Sequence, residues 1–417
     1  MKKITALLIS VLLLFSLASC GAKEVEFYAF SGNFSPFFTR TPYDLSVVAQ
    51  TQETLLVTSG DEAEIVLDGY TEKLGIADIT KEKTGERVVY TVKLGKDICF
   101  SDGTPLTAKD VIFSMYVYAD INYGGWSDFC TSAVDGLVNY QYGNENAENV
   151  TVTDAEIEAE LKNPNERTKK YIVDNIIKPI LTEEAEWVKS LYTDPAYDGT
   201  EAEKDIENFP QPYKLFEYYY ALTNSDIKTD GADSMEKMLD CIISQYGTDY
   251  ELLGSVYGSD LTGMANEWAK RSVMFDKLGI TDESPSSGKI RGIEKVDDYT
   301  VKVTVNSTSE TQLKNVLGIF VAPFHYYGAG CTENSDGSFT IDIESVKEKS
   351  GKPMGAGEYS FINYKVGKNV LFEKNGFYFR EKELEDKLCF KETGDTSTPT
   401  THGYFINKEN VTFTKGI

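Results

Sequence analysis

The chain has 417 residues, with 66 Asp and Glu against 41 Lys and Arg, a formal net charge of −25. That length exceeds one ordinary domain of about 100–200 residues and suggests two or three; 41% hydrophobic and 12% aromatic content excludes a wholly disordered chain. The acidic balance excludes nucleic-acid binding through phosphate contacts, and the two histidines, His325 and His402, leave little for His-rich metal sites or for Ser/His and Cys/His catalysis.

At the N-terminus, Lys2 and Lys3 precede an apolar run from Ile4 to Leu17. The run is shorter than the roughly 20 apolar residues of a transmembrane helix and fits the core of a secretory signal. Leu17-Ala18-Ser19-Cys20 then resembles the bacterial lipobox. This predicts a signal peptide over 1–19 and a diacylglycerol on Cys20, whose two chains give stable anchoring. An ordinary secretory signal with an incidental Cys20 is the alternative. Beyond it, Cys99, Cys130, Cys241, Cys331 and Cys389 are scattered with no C-x-x-C spacing. Zinc ribbons and thioredoxin-like motifs are therefore excluded, and mostly buried free thiols are expected.

Three zones follow the anchor: an α/β part over 20–119, a helical, Tyr-rich part over 120–287, and a second α/β part over 288–392, with a tail over 393–417. In the first, Val88–Leu94 alternates with Tyr90, Val92 and Leu94 on one face and predicts a strand. Asp102-Gly103-Thr104-Pro105 is turn chemistry, with Asp102 accepting local backbone hydrogen bonds. Thr107 with Asp110 three residues later is a variant capping box, opening an amphipathic helix that ends near Asp120. In the middle zone, Thr153 and Glu156 form another capping box. Helical spacing continues through Ile157–Leu161, Tyr171–Leu181, Glu183–Leu191, Met235–Tyr246 and Leu261–Leu278. The run Tyr218-Tyr219-Tyr220 reads as core and amphipathic rim, with a stacking platform as the alternative. After the Ser284–Gly288 linker, Asp297-Asp298 turns into a strand over Thr300–Val305, and Val366-Gly367-Lys368 is the turn of a hairpin.

The segment Tyr90–Leu94 followed by Phe100-Ser101-Asp102-Gly103-Thr104-Pro105-Leu106-Thr107-Ala108-Lys109-Asp110-Val111-Ile112-Phe113-Ser114 resembles the signature of the family 5 extracellular solute-binding proteins. These are the oligopeptide-, dipeptide- and nickel-binding lipoproteins of ABC importers. Gly32-Asn33-Phe34-Ser35-Pro36, Gln52-Glu53-Thr54-Leu55-Leu56, Val296–Val301, Gly355-Ala356-Gly357-Glu358-Tyr359 and Asn375-Gly376-Phe377-Tyr378 resemble further family motifs in the expected order. The resemblance covers about 25–118 and 290–392, leaving 120–287 and the tail from Thr396 unmatched.

The resemblance implies an α/β fold of the periplasmic-binding-protein type II class: a first lobe carrying a large helical insertion, with the second lobe largely missing. It implies capture of short peptides, or a related small solute such as nickel or haem, outside the cytoplasm. Delivery would be to the permease of an ABC importer whose ATPase subunits supply the energy. On this reading the chain is not an enzyme, needs no cofactor, has no metal site and touches the membrane through its lipid. The early segment Ser31, Gly32 and Asn33 would line the ligand cleft; an ordinary glycine turn between strands is the alternative. The chain alone would hold half a cleft and bind peptide weakly or not at all. No nucleophile elbow, zincin, Walker or dinucleotide motif supports an enzyme, and Asn334–Gly337 lacks calcium ligands at the required spacing and reads as a hairpin turn. The rival is a surface lipoprotein acting as an adhesin-like interaction module without transport.

Overall fold

The protein is described from a computed structural model covering residues 22–39, 41–59, 64–125, 127–179, 234–246, 262–281 and 285–394, with 182 and 232. These residues form two compact units, one from 22 to Glu148 and again from 285 onward, the other over Asn149–Thr281. In chain order the first unit opens with β1 (Lys23–Phe27), α1 (Pro42–Thr51), β2 (Val57–Ser59), β3 (Glu64–Val66), β4 (Ala77–Thr84), β5 (Arg87–Leu94) and α2 (Ala108–Ala119). The second unit holds α3 (Asp154–Lys162), α4 (Glu166–Tyr171), α5 (Met235–Tyr246) and α6 (Thr262–Leu278). The first unit resumes with β6 (Ile293–Asp297), β7 (Thr300–Val305), α7 (Glu310–Leu317), α8 (Phe324–Tyr327), β8 (Thr332–Glu333), β9 (Phe339–Thr340), β10 (Tyr359–Lys365), β11 (Asn369–Lys374) and β12 (Lys387–Glu392).

One four-stranded sheet of the first unit is antiparallel in the order β4-β5-β7-β6. The alternation along β5 puts Val88, Tyr90, Val92 and Leu94 on one face, all at 6% exposure or less. Val88, Tyr90 and Val92 lie opposite Val305, Val303 and Val301, so apolar cross-strand pairs hold the register. Helix α2 packs against β6 and β7. At its start the Thr107 N–H and hydroxyl both donate to Asp110 Oδ2 at 2.9 Å. Every residue of the helix except Lys109 is buried, which marks a central helix rather than a surface one. Burial pushes the Asp110 carboxyl up, against hydrogen bonds from the Phe324 and Thr107 N–H groups.

In the turn before α2, the Thr104 N–H donates to Asp102 Oδ1 at 2.9 Å. Gly103 takes φ +85°, and a Cβ there would sit 2.9 Å from the Phe377 ring; both the conformation and the close approach favour glycine. The structure adds a partner not visible locally: His325 Nε2 lies 2.7 Å from Asp102 Oδ2. Burial alone would raise the Asp102 carboxyl, but the Thr104 N–H and the His325 imidazole outweigh it and hold the group below its ordinary value.

The other sheet is mixed, in the order β1-β12-β11-β10, with β1 parallel to β12. The hairpin turn at 366–368 joins β10 to β11, with Gly367 at φ +67°. Phe27, Phe30, Phe34, Phe372 and Phe390 bury one face of this sheet. The Asn334–Gly337 stretch is the turn of the β8–β9 hairpin.

From sequence the first α/β part ends at residue 119, but the structure carries that unit on to Glu148. The reason is packing. Phe129, Val134, Leu137 and Tyr140 are buried in the same core as β5 and α2, Val134 bridges to Val305, and the Tyr140 and Tyr116 rings meet edge to face at 5.0 Å. Arg291 ties the segment to the sheet, pairing with Asp135 at 3.1 Å and Glu148 at 2.6 Å.

Among its described residues the second unit contains helices and no strand. The Thr153–Glu156 capping box is present, with the Thr153 N–H donating to Glu156 Oε2 at 2.8 Å. Lys277 pairs with the same carboxylate at 2.7 Å, and with Thr153 it holds Glu156 down at about 2. Tyr171 and Trp268 stack in parallel at 3.8 Å, joining α4 to α6. A π-helical stretch, Ile172–Ile177, continues α4. The Ile4–Leu17 run, Cys20, Glu183–Leu191, Tyr218–Tyr220 and the tail from Thr396 lie outside the described residues.

Candidate functional site

After β1 the chain leaves the sheet at Tyr28 and runs irregularly to Phe34 before α1 begins. Ser31 is exposed, while Gly32 and Asn33 are half-buried. The Ser31 N–H donates to Asp44 Oδ1 at 3.0 Å and its hydroxyl to Asp44 Oδ2 at 2.6 Å. Gly32 adopts φ +87°, and a Cβ there would press on the Tyr364 ring at 3.2 Å. Asn33 donates through Nδ2 to the Phe38 carbonyl at 2.9 Å and accepts from the Ser35 N–H at 3.3 Å. The three residues sequence singles out therefore sit together in one fixed loop, but the polar atoms of the Ser31 and Asn33 side chains are used within the chain. Replacing Asn33 would loosen the turn as well as change its surface.

Three side chains that sequence reasoning misses hold this loop. Asp44, fully buried at 0% exposure, also accepts from the Thr41 hydroxyl at 2.6 Å. Glu392, at the end of β12, accepts from the Phe30 N–H at 2.7 Å. The Tyr364 hydroxyl lies 2.9 Å from both the Phe30 carbonyl and Glu392 Oε1. Burial, with Glu392 beside it, raises the Tyr364 phenol far above its ordinary value, so the hydroxyl stays protonated. A local signal existed for Asp44, because Thr41-Pro42-Tyr43-Asp44 reads as a helix start with an acidic third position. None existed for Glu392 or Tyr364, which reach the loop from more than 300 residues away.

Several motif stretches converge elsewhere in the same unit. The Gly357 N–H donates to the Thr51 carbonyl at 3.0 Å, Gln52 Nε2 donates to the Met354 carbonyl at 2.9 Å, and Asn375 Nδ2 donates to the Gly357 carbonyl at 2.8 Å. Arg380 forks onto Glu53, at 3.2 Å to Oε1 and 3.3 Å to Oε2. The motifs thus build a junction, a structural rather than a chemical site. A surface groove of about 710 Å³ is lined by Ile65, Leu67 and Leu313 with Lys81, Lys314 and Glu310 at its edges, and includes none of Tyr28–Asn33. Among the described residues no group of three or more His, Cys, Asp or Glu side chains could hold a metal ion.

A family model described as bacterial extracellular solute-binding proteins, family 5 Middle, matches residues 76–218 and 253–402. The chain belongs to this family. The match runs through much of 120–287 and past residue 392, which corrects the expectation that the family resemblance skips that zone and the tail. Family 5 proteins are solute-binding proteins rather than enzymes; they bind peptides or small solutes for ABC permeases, in the periplasm or at the cell surface. The mixed α/β architecture agrees with that membership. Among the described residues no helix is long and apolar enough to cross a membrane.

Heme-binding protein A of Haemophilus influenzae is 24% identical over 109 residues, 26% of this chain and 18% of that protein. Among solved structures, the chain is similar to Listeria monocytogenes OppA bound to peptide (13% identity, TM-score 0.42, 92% of this chain and 44% of that one). It is also similar to lactococcal OppA complexed with an endogenous peptide (13%, 0.44, 89% and 42%) and to NikZ from Campylobacter jejuni in complex with Ni(L-His) (11%, 0.40, 90% and 40%). The chain thus spans well under half the length of these relatives, and likeness at this level assigns neither a ligand nor residue roles.

Proposed function

We propose that this family 5 chain is the solute-receiving part of an ABC importer, that its ligand is a short peptide, and that it carries no catalysis of its own. Membership of the family over most of the chain supports the importer reading. The observation that carries the site is the partly exposed Ser31–Asn33 loop, whose shape is fixed by residues of α1, β10 and β12. A fixed backbone beside an open surface suits a ligand read through its main chain, which gives affinity with little side-chain selectivity. Calorimetry of the gene's full-length product with a mixture of tri- to hexapeptides should give a Kd on the order of micromolar or tighter. Saturable binding of hemin but not of the peptides would overturn the peptide assignment and leave the importer reading standing.

We also propose that Cys20 carries a lipid that holds the protein on the outer face of the cell membrane. Cys20→Ser should move the protein from the membrane fraction to the medium or periplasm. Retention in the membrane with the signal removed would refute the anchor. The second reading, an interaction module without transport, draws on the separate helical unit Asn149–Thr281. It predicts that deleting the gene leaves peptide uptake intact.

A further inference from the structure

We propose that Asp44 and Glu392 are positioning residues that hold the Phe30–Asn33 loop in the conformation that receives ligand; this rests on the reading of Ser31–Asn33 as cleft-lining. Two consecutive backbone donors are each taken by a carboxylate from a different element. The Phe30 N–H goes to Glu392 of β12 at 2.7 Å, and the Ser31 N–H to Asp44 of α1 at 3.0 Å. Tyr364 of β10 holds the Phe30 carbonyl at 2.9 Å and lies under Gly32. Ser31 is exposed, and the N–H of such a residue ordinarily goes to water at no desolvation cost. Here a carboxylate at 0% exposure is committed to it, and burying a charge is unfavourable unless several donors compensate.

The plainer account, that Asp44 only caps α1, explains its bonds with Thr41 but not those with Ser31. It gives no role to Glu392. Glu392 Oε2 is buried and has no hydrogen-bond partner among the described residues, an unfavourable arrangement for a group serving stability alone. The same burial keeps that oxygen from touching a ligand, so Glu392 acts through the loop. Three elements fixing one short loop over-determine its shape. A loop already ordered loses less conformational freedom when it binds.

The test uses the full-length product, the tri- to hexapeptide mixture as probe, and three readouts: affinity by calorimetry, thermal midpoint, and amide hydrogen exchange over residues 28–33. Glu392→Ala removes the acceptor for the Phe30 N–H, whereas Glu392→Gln keeps a carbonyl there. The expected result is about tenfold weaker binding and faster exchange for Glu392→Ala, with Glu392→Gln within roughly threefold of wild type. Tyr364→Phe, a milder change that leaves the ring under Gly32, should shift affinity and exchange in the same direction should Glu392→Ala fail to fold. Equal losses in Glu392→Gln and Glu392→Ala would mean that the charge itself acts on the ligand, overturning the positioning role. Unchanged affinity in Glu392→Ala or Tyr364→Phe would overturn it too while leaving the cleft reading intact. A wild-type protein that binds no peptide would overturn the cleft reading, and with it any role of these residues toward ligand.

Discussion

Replacing Arg380 with alanine is expected to lower the thermal midpoint of the first unit by roughly 10 °C, from a loss of about 3–5 kcal/mol. The side chains of Arg380 and Glu53 are 8% and 2% exposed, so the carboxylate that loses its guanidinium is already out of water. Two hydrogen bonds go with the substitution, as do the stacks of Arg380 on Tyr378 and Phe379 at 5.3 and 5.1 Å. The Tyr378 hydroxyl, 3.4 Å from Glu53 Oε1, is too distant to replace a forked guanidinium. Arg380→Lys should fall between, because an ammonium keeps the charge but cannot fork onto both oxygens. An exposed pair sets the comparison. Lys347 and Glu344, at 42% and 81% side-chain exposure, share a bond worth well under about 1 kcal/mol, so Lys347→Ala should barely move the midpoint. Differential scanning calorimetry of the three variants decides the matter. An Arg380→Ala midpoint within about 2 °C of wild type would show that the junction draws nothing appreciable from this pair.

The contrast between Arg380 and β5 shows what the chain discloses locally. Val88–Leu94 is legible because alternation is a property of consecutive residues, and burying every second side chain is what one face of a sheet does. Helix α2 and its Thr107–Asp110 start are legible for the same reason. Pairing is not local. Nothing in Lys23–Phe27 says that it will lie parallel to Lys387–Glu392, and nothing near Glu53 points to a guanidinium 327 residues away. The stretch 120–148 escaped because its buried Phe129 and Tyr140 sit on short helical turns and Val134 on an isolated bridge, which have no period to detect. At the candidate site, sequence pointed to Ser31, Gly32 and Asn33 through a motif. The residues that shape that loop, Glu392 and Tyr364, become neighbours only when the last strands close the sheet.

Gly357→Ala is expected to destabilise the first unit by about 3 kcal/mol, near the upper end of ordinary overpacking. An added Cβ would lie 2.5 Å from the Gln50 carbonyl oxygen, 2.5 Å from the Thr51 carbonyl carbon and 2.7 Å from the Gln52 N. All three are backbone atoms, so no side chain can rotate aside, and relief requires one segment to move. Moving it stretches the Gly357 N–H bond to the Thr51 carbonyl, 3.0 Å, and disturbs the Asn375 amide bonded to the Gly357 carbonyl at 2.8 Å. The displaced stretch leads directly into Glu53, so the fork with Arg380 is strained by the same shift. Coupling follows: residues that share a backbone displacement do not contribute additively. The double variant Gly357→Ala with Arg380→Ala should therefore lose less than the sum of the single losses, by about 1 kcal/mol. Gly367→Ala is the control. It occupies the β10–β11 turn with open space around its Cβ position but at φ +67°, so its smaller loss, about 1 kcal/mol, comes from backbone strain alone. Urea unfolding of wild type and the four variants gives the four differences. If Gly357→Ala is no more damaging than Gly367→Ala, the close approach of the two segments does not hold in solution.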